Sequence, residues 1–150
     1  MQRIASFEVD HDKIEPGMYI SRIDGDITTF DLRTRKPNAG EYMDNVTMHS
    51  VEHMLATLLR NGEIADKVIY FGPMGCRTGF YLLTRDLAPD RVWEALCAAL
   101  AAVETAPEMF GATRRECGNY RELELASAKR ECAAYLAVIK DKKGEYSYAG

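Results

Sequence analysis

The 150-residue chain has no CxxC pair, no internal repeat, no low-complexity tract and no Ser/Gly-rich linker. Its four cysteines, at positions 76, 97, 117 and 132, are too few and too scattered for a disulfide framework, so each is judged singly as core thiol, ligand or nucleophile. Long apolar runs are also missing. The most apolar stretch, Trp93–Val103, is interrupted by Glu94 and falls far short of the ~20 residues needed to cross a bilayer. The opening MQRIASFEVDHDK carries acidic residues where a secretory signal needs a positive segment and then an apolar one, so no export and a cytoplasmic location are expected. An excess of basic charge is lacking too: Lys+Arg number 19 against 23 Asp+Glu, a net charge of −4. Phosphate-backbone binding needs clustered Lys and Arg, so neither nucleic acid nor an acidic membrane is expected as a partner. With 47% hydrophobic and 28% charged residues, positions 1–150 read as one domain, of a size that buries roughly 70% of its unfolded surface without disulfides.

Tyr19–Arg22 and Asp26–Phe30 flank Asp24-Gly25 and predict a hairpin. Arg33–Glu41, with Pro37, Asn38 and Gly40, predicts a loop with exposed basic residues. Apolar residues recur at helical spacing from Val46 to Arg60, and Asn61-Gly62 supplies a stop. Val68–Phe71 and Phe80–Thr84 are β-type runs around a loop with three glycines, one proline and Cys76. Pro89-Asp90 opens a second helix to about Glu104, with Trp93, Leu96, Leu100 and Val103 inward. A third helix is expected after Asn119, capped by it with Glu122 three residues on. Strands mixed with three helices predict an α+β fold, a small, largely antiparallel sheet packed against helices in a single domain.

The chemistry-bearing segment is His49-Ser50-Val51-Glu52-His53. Two histidines four apart lie one helical turn from each other and can bind one metal ion from the same face. Glu52, beside the second histidine, stands where a general base reaches the substrate without itself coordinating the ion. A third ligand is needed, and Cys117, expected just ahead of a helix N-terminus that favours its thiolate, is the choice. Two imidazoles and one thiolate leave an open fourth position, as in catalytic rather than structural sites. Cys76, in a Gly-rich bend beside Arg77, is a second candidate base or nucleophile.

Each residue also has a plainer reading. An isolated HxxxH pair suits a solvated helix face, Cys117 a buried thiol, Arg33 a solvated loop charge, and Ser6 and His11 ordinary surface positions. Cys97 and Cys132 fall in Ala-rich helical stretches and read as packing, as do Met43, Met48 and Met54. Two other functions fit part of the pattern. HxxEH also occurs in metalloproteases, with Glu122 or Glu124 as third ligand, although that leaves Cys76 unexplained. A structural metal module closed by His11 or Cys76 as fourth ligand is the other.

Taken together, Ser6-Phe7 with Asp10-His11, Phe30-Asp31-Leu32-Arg33 with Pro37-Asn38, HSVEH at 49–53, RNG at 60–62, GPMGCRTGFYL at 72–82 and ECGNY at 116–120 resemble the S-ribosylhomocysteine lyase, or LuxS, family. Six motifs in order span nearly the whole chain, and GPMGCRTGFYL is the most specific. The resemblance implies a homodimer with active sites at the subunit interface and one divalent metal per subunit, Fe(II) with Zn(II) or Co(II) as substitutes. By motif matching it implies His49, His53 and Cys117 as metal ligands, Glu52 and Cys76 as the catalytic acid/base pair, and Ser6, His11 and Arg33 as substrate contacts. The implied reaction is carbonyl migration along S-ribosylhomocysteine followed by β-elimination, giving homocysteine and 4,5-dihydroxy-2,3-pentanedione, the autoinducer-2 precursor, a step that serves quorum sensing or recycling in the methyl cycle. Three places depart from the family's usual pattern: Ser50 stands for Thr, Thr34 and Arg35 follow Asp31-Leu32-Arg33 where an aromatic is usual, and Tyr70 stands where many relatives have Asp.

Overall fold

In the computed structural model, which describes residues 1–149, strand β1 (Gly17–Asp24) turns directly into β2 (Ile27–Arg33). Asp24 pairs with Ile27, so the two turn residues are Gly25-Asp26, one step later than the Asp24-Gly25 of the sequence prediction. Gly25 takes φ +62° at the first turn position, which a side chain would resist; the left-handed requirement therefore chooses the register. Strands β3 (Val68–Pro73) and β4 (Gly79–Arg85) complete an antiparallel sheet of order β1-β2-β4-β3. The fold is α+β, as expected.

Strand alternation divides the sheet into two chemistries. Phe30, Leu32, Phe80 and Leu82 are buried on the face covered by helices α2 (Asn45–Arg60), α3 (Pro89–Thr105) and α4 (Leu125–Ile139). The other face carries Asp31, Arg33, Tyr81 and Leu83, with Tyr81 directly opposite Asp31 and Gly79 opposite Arg33. A Cβ on Gly79 would stand 2.5 Å from the Leu32 carbonyl oxygen, so only glycine lets β4 approach β2 here. A short helix, α1 (Ala5–Glu8), lies against β1.

Helix α2 buries Val51, Met54, Leu55 and Leu59, the predicted apolar stripe. Helix α3 follows its expected bounds with Pro89 in its first turn. The third long helix does not. Asn119 leads only a three-residue 3-10 turn, Tyr120–Glu122, and makes no side-chain cap, while α4 begins at Leu125. Its start is pinned from outside, because the Glu124 N–H donates to Ser50 Oγ at 2.8 Å. The loop basic residues are also less exposed than expected. Arg33 is 3% exposed as the last residue of β2, and Arg35 reaches Glu131 on α4 at 2.6 Å.

Asp44 caps α2 by accepting from the Thr47 N–H at 2.7 Å, and its hydrogen bonds with Thr47, first through the side chain and then through the backbone, lower its pKa from 3.8. A lowered carboxylate pKa means stability present above 3.8 and lost as pH falls through the lowered value. Asp44→Ala is expected to destabilise the protein by about 1 kcal/mol in urea titrations at neutral pH, with the difference from wild type shrinking in acid. A difference that persists unchanged at low pH would contradict the cap.

Candidate active site

Helical spacing places His49 and His53 one turn apart on α2, with ring centroids 4.7 Å apart and planes at 86°. Each ring is oriented by a backbone carbonyl. His49 Nδ1 lies 3.0 Å from the Glu122 oxygen and His53 Nδ1 lies 3.0 Å from the Phe110 oxygen. A carbonyl only accepts, so both δ nitrogens carry the proton and both ε nitrogens present lone pairs. Cys117 Sγ lies 3.4 Å from His49 Nε2, and the ligand atoms of His49, His53 and Cys117 all lie within 4.8 Å of one another. Tetrahedral coordination separates such atoms by about 3.5 Å, a distance the His49–Cys117 pair already has. The donor set of two imidazoles and one thiol fits a divalent transition metal.

The helix N-terminus expected to assist Cys117 is absent, since the following helical piece is a single 3-10 turn; the Asn119 N–H donates directly to Cys117 Sγ at 3.4 Å instead. The carboxylate alternatives do not join the cluster. Glu124 bonds Ser127 and pairs with Arg130, and Glu122 contributes its backbone carbonyl. Glu52 lies half-buried on α2, and among the described residues its carboxylate enters no ion pair.

Cys76, Ser6, His11 and Arg33 come together elsewhere, around a cleft of about 280 Å³ on the sheet face the helices leave open. Cys76 is exposed, and its Sγ lies 3.0 Å from Thr78 Oγ1 and 3.9 Å from Arg33 Nη1. Arg33, not Arg77, is thus the guanidinium beside Cys76. Arg77 turns to the Met43 carbonyl and the Tyr42 ring, and it holds a left-handed backbone position in the loop, φ +62°. His11 and Cys76 line this cleft rather than the histidine cluster, so neither closes the metal site within one chain.

Arg33 is gripped by Asp31 in a bidentate pair, Nε to Oδ1 at 3.0 Å and Nη2 to Oδ2 at 2.6 Å, and donates through Nη1 to Thr78 Oγ1 at 2.9 Å. Burial works against the guanidinium charge, but the hydrogen bonds and field of Asp31 outweigh it and raise the Arg33 pKa. Tyr81 also lines the cleft, its pKa raised by burial and by Asp31. Neither Asp31 nor Tyr81 was singled out from sequence, although Asp31 stands two residues from Arg33 on the same strand face and Tyr81 lies directly across the ladder from Asp31. Cys97 and Cys132 are packing residues, with burial pushing their thiols up to about 11 and about 12.

Residues 4–145 match the family described as S-ribosylhomocysteinase (LuxS). The chain belongs to the LuxS family. Proteins named S-ribosylhomocysteine lyase from Borreliella afzelii and Clostridium acetobutylicum are 42% and 44% identical to it, over 97% of this chain and 97% and 99% of theirs. One of that name from Clostridium beijerinckii is 44% identical over 86% of each chain. The departures from the LuxS pattern have structural accounts. Ser50 is fully buried and anchors the start of α4, and Thr34 and Arg35 fasten their loop to Thr78 and Glu131. Tyr70 stands half-exposed on the open sheet face.

Gly111 follows the carbonyl that orients His53. It has φ +66°, and a Cβ there would lie 3.0 Å from His53 Nδ1. Gly111→Ala is expected to retain the fold by circular dichroism while weakening metal affinity by about 10- to 100-fold in chelator competition. Unchanged affinity would show that the Phe110 carbonyl does not set the His53 ring.

Proposed function

We propose that this chain is an S-ribosylhomocysteine lyase, one catalytic domain over residues 1–150, releasing homocysteine and 4,5-dihydroxy-2,3-pentanedione and so serving the methyl cycle and autoinducer-2 signalling in the cytoplasm. The observation that carries this reading is the cluster of His49 Nε2, His53 Nε2 and Cys117 Sγ, with both imidazoles locked into the ligating tautomer, in a chain matched to LuxS over most of its length. His49, His53 and Cys117 would hold one divalent ion per subunit, with Fe(II) favoured and Zn(II) or Co(II) able to substitute. Such an ion supplies Lewis acidity that stabilises negative charge developing on a neighbouring sugar oxygen.

The thioether carbon of the substrate is unactivated, so a carbonyl must first migrate along the ribose chain. Each migration removes a proton from one carbon and returns one to its neighbour. Cys76, exposed in the cleft between Ser6 and Arg33, is the group we assign to these carbon proton transfers. Glu52 exchanges hydroxyl protons and finally takes the proton whose electron pair forms the new C=C bond as the C–S bond breaks. Homocysteine leaves with a proton on its sulfur, and nothing is oxidised or added. Ser6, His11 and Arg33 bind the substrate; three guanidinium N–H groups of Arg33 go to Asp31 and Thr78 and a fourth is directed at Cys76 Sγ, which leaves one on Nη2.

We further propose a homodimer with the active site at the subunit interface. The cleft with Cys76 lies on the open sheet face and the His49–His53–Cys117 cluster on the helical layer, which supports a site completed by a second copy. Ile4, Phe7, Ile23 and Tyr70 are large apolar side chains left exposed, and Ile4 and Tyr70 line one broad cavity beside the cleft.

Incubating the metal-loaded protein anaerobically with S-ribosylhomocysteine should release one free thiol per substrate; no thiol release would reject the lyase. Glu52→Gln and Cys76→Ala should each keep the metal and lose about 10²- to 10⁴-fold in turnover, while Cys97→Ala stays near wild type. Mixing subunits of the two inactive variants should restore up to about a quarter of wild-type activity, because half the dimers then carry one intact shared site. Absence of any recovery after proven subunit exchange would place both groups in one chain's site.

A further inference from the structure

The C-terminal segment after α4 crosses the sheet edge. The Ile20 N–H of edge strand β1 donates to the Tyr146 carbonyl at 2.8 Å, and the buried Tyr146 hydroxyl donates to Asp90 at the start of α3 at 2.7 Å. Two residues later the chain is on the open face. There Tyr148 stacks on Tyr19, centroids 4.9 Å apart at 23°, and its hydroxyl donates to Asp31 Oδ2 at 2.7 Å. That oxygen is the one accepting the 2.6 Å bond from Arg33 Nη2. Tyr148 and Asp31 line a void of about 10 Å³, room for one water at most, which shares Ser6, His11, Arg33 and Tyr81 with the larger cleft.

We propose that Tyr148 is a positioning residue for the substrate: it closes the deep end of the cleft and holds the Asp31–Arg33 pair so that the guanidinium meets the substrate in one orientation. The assignment rests on the lyase reading for its substrate, but the lock itself rests on geometry alone. A buried ion pair keeps its shape when every polar atom is satisfied, and Tyr148 supplies the Asp31 contact that Arg33 does not. Burial, with the Asp31 charge next, raises the Tyr148 pKa, so the hydroxyl remains a donor throughout the working range. Residue 148 lies outside the span 4–145 matched to the family.

Tyr148→Phe keeps the ring stack and removes only the donor; Tyr148→Ala also opens the void. Thiol-release kinetics with S-ribosylhomocysteine should give a KM raised about tenfold in Tyr148→Phe and more in Tyr148→Ala, with kcat within about twofold. Tm in Tyr148→Phe should stay within about 2 °C of wild type. Phenylglyoxal labelling of Arg33 in the ligand-free protein, read by peptide mass, should accelerate several-fold in Tyr148→Ala. An unchanged KM in Tyr148→Ala overturns the proposal, even if labelling accelerates, because the contact is then a structural clamp alone. Losses that follow Tm, with kcat and KM moving together, also overturn it. If wild type releases no thiol, the lyase reading fails separately, and Arg33 labelling alone decides whether Tyr148 locks the pair.

Discussion

Two backbone carbonyls decide what the helix α2 histidines can do. An imidazole free to spin exposes either nitrogen and samples both tautomers, whereas one tied at Nδ1 to a carbonyl has a single lone pair on the opposite side. Glu122 and Phe110 supply these ties from segments far from α2 in sequence, so the cluster forms only after the chain has folded around the helix. Much of the surrounding structure serves those two carbonyls. The Ser50 hydroxyl holds Glu124, two residues past one of them, and Gly111 makes room beside the other. Cys117 is carried between these two segments, which explains how a loop cysteine reaches a helix-borne pair.

The second constraint is the buried Asp31–Arg33 pair. Removing two charges from water is expensive, and such a pair is tolerated when the fork is bidentate and the remaining donors and acceptors find partners. Thr78 from the Cys76 loop and Tyr148 from the C-terminal segment provide those partners, drawing three distant pieces of chain to one point of the sheet. The result ties the geometry of the Cys76 loop to a strand residue: Thr78 touches both Arg33 and Cys76 Sγ. The cleft is therefore built on paired strands, with the loop at 74–78 held at both ends by backbone hydrogen bonds to Met43 and Gly79.

Local pattern carried much of this. The α2 stripe, the α3 proline start and the hairpin are written in residue spacing, since they follow from contacts within a few positions of one another. The HSVEH segment made the paired histidines of the cluster legible for the same reason. What escaped is nonlocal. Arg33 sits near Pro, Asn and Gly and reads as a solvated charge, yet it is buried, with Thr78 accepting from its Nη1 and Tyr148 bonded to the Asp31 carboxylate it pairs with. Asn119 with Glu122 has the spacing of a capping box, but three-residue spacing serves a 3-10 turn equally well, and the real start of α4 is pinned by Ser50 across the core. Asp31 carried a usable signal: an opposite charge two residues from Arg33 on a strand shares its face.

If two imidazoles and one thiolate hold a single divalent ion, the ion's nearest neighbours are fixed in kind and distance. X-ray absorption at the metal edge of the loaded protein tests it directly. One sulfur scatterer is expected at about 2.3 Å with two imidazole nitrogens at about 2.0–2.1 Å, and the sulfur shell should be lost in Cys117→Ser. A spectrum with no sulfur neighbour, or one unchanged by that substitution, would contradict it.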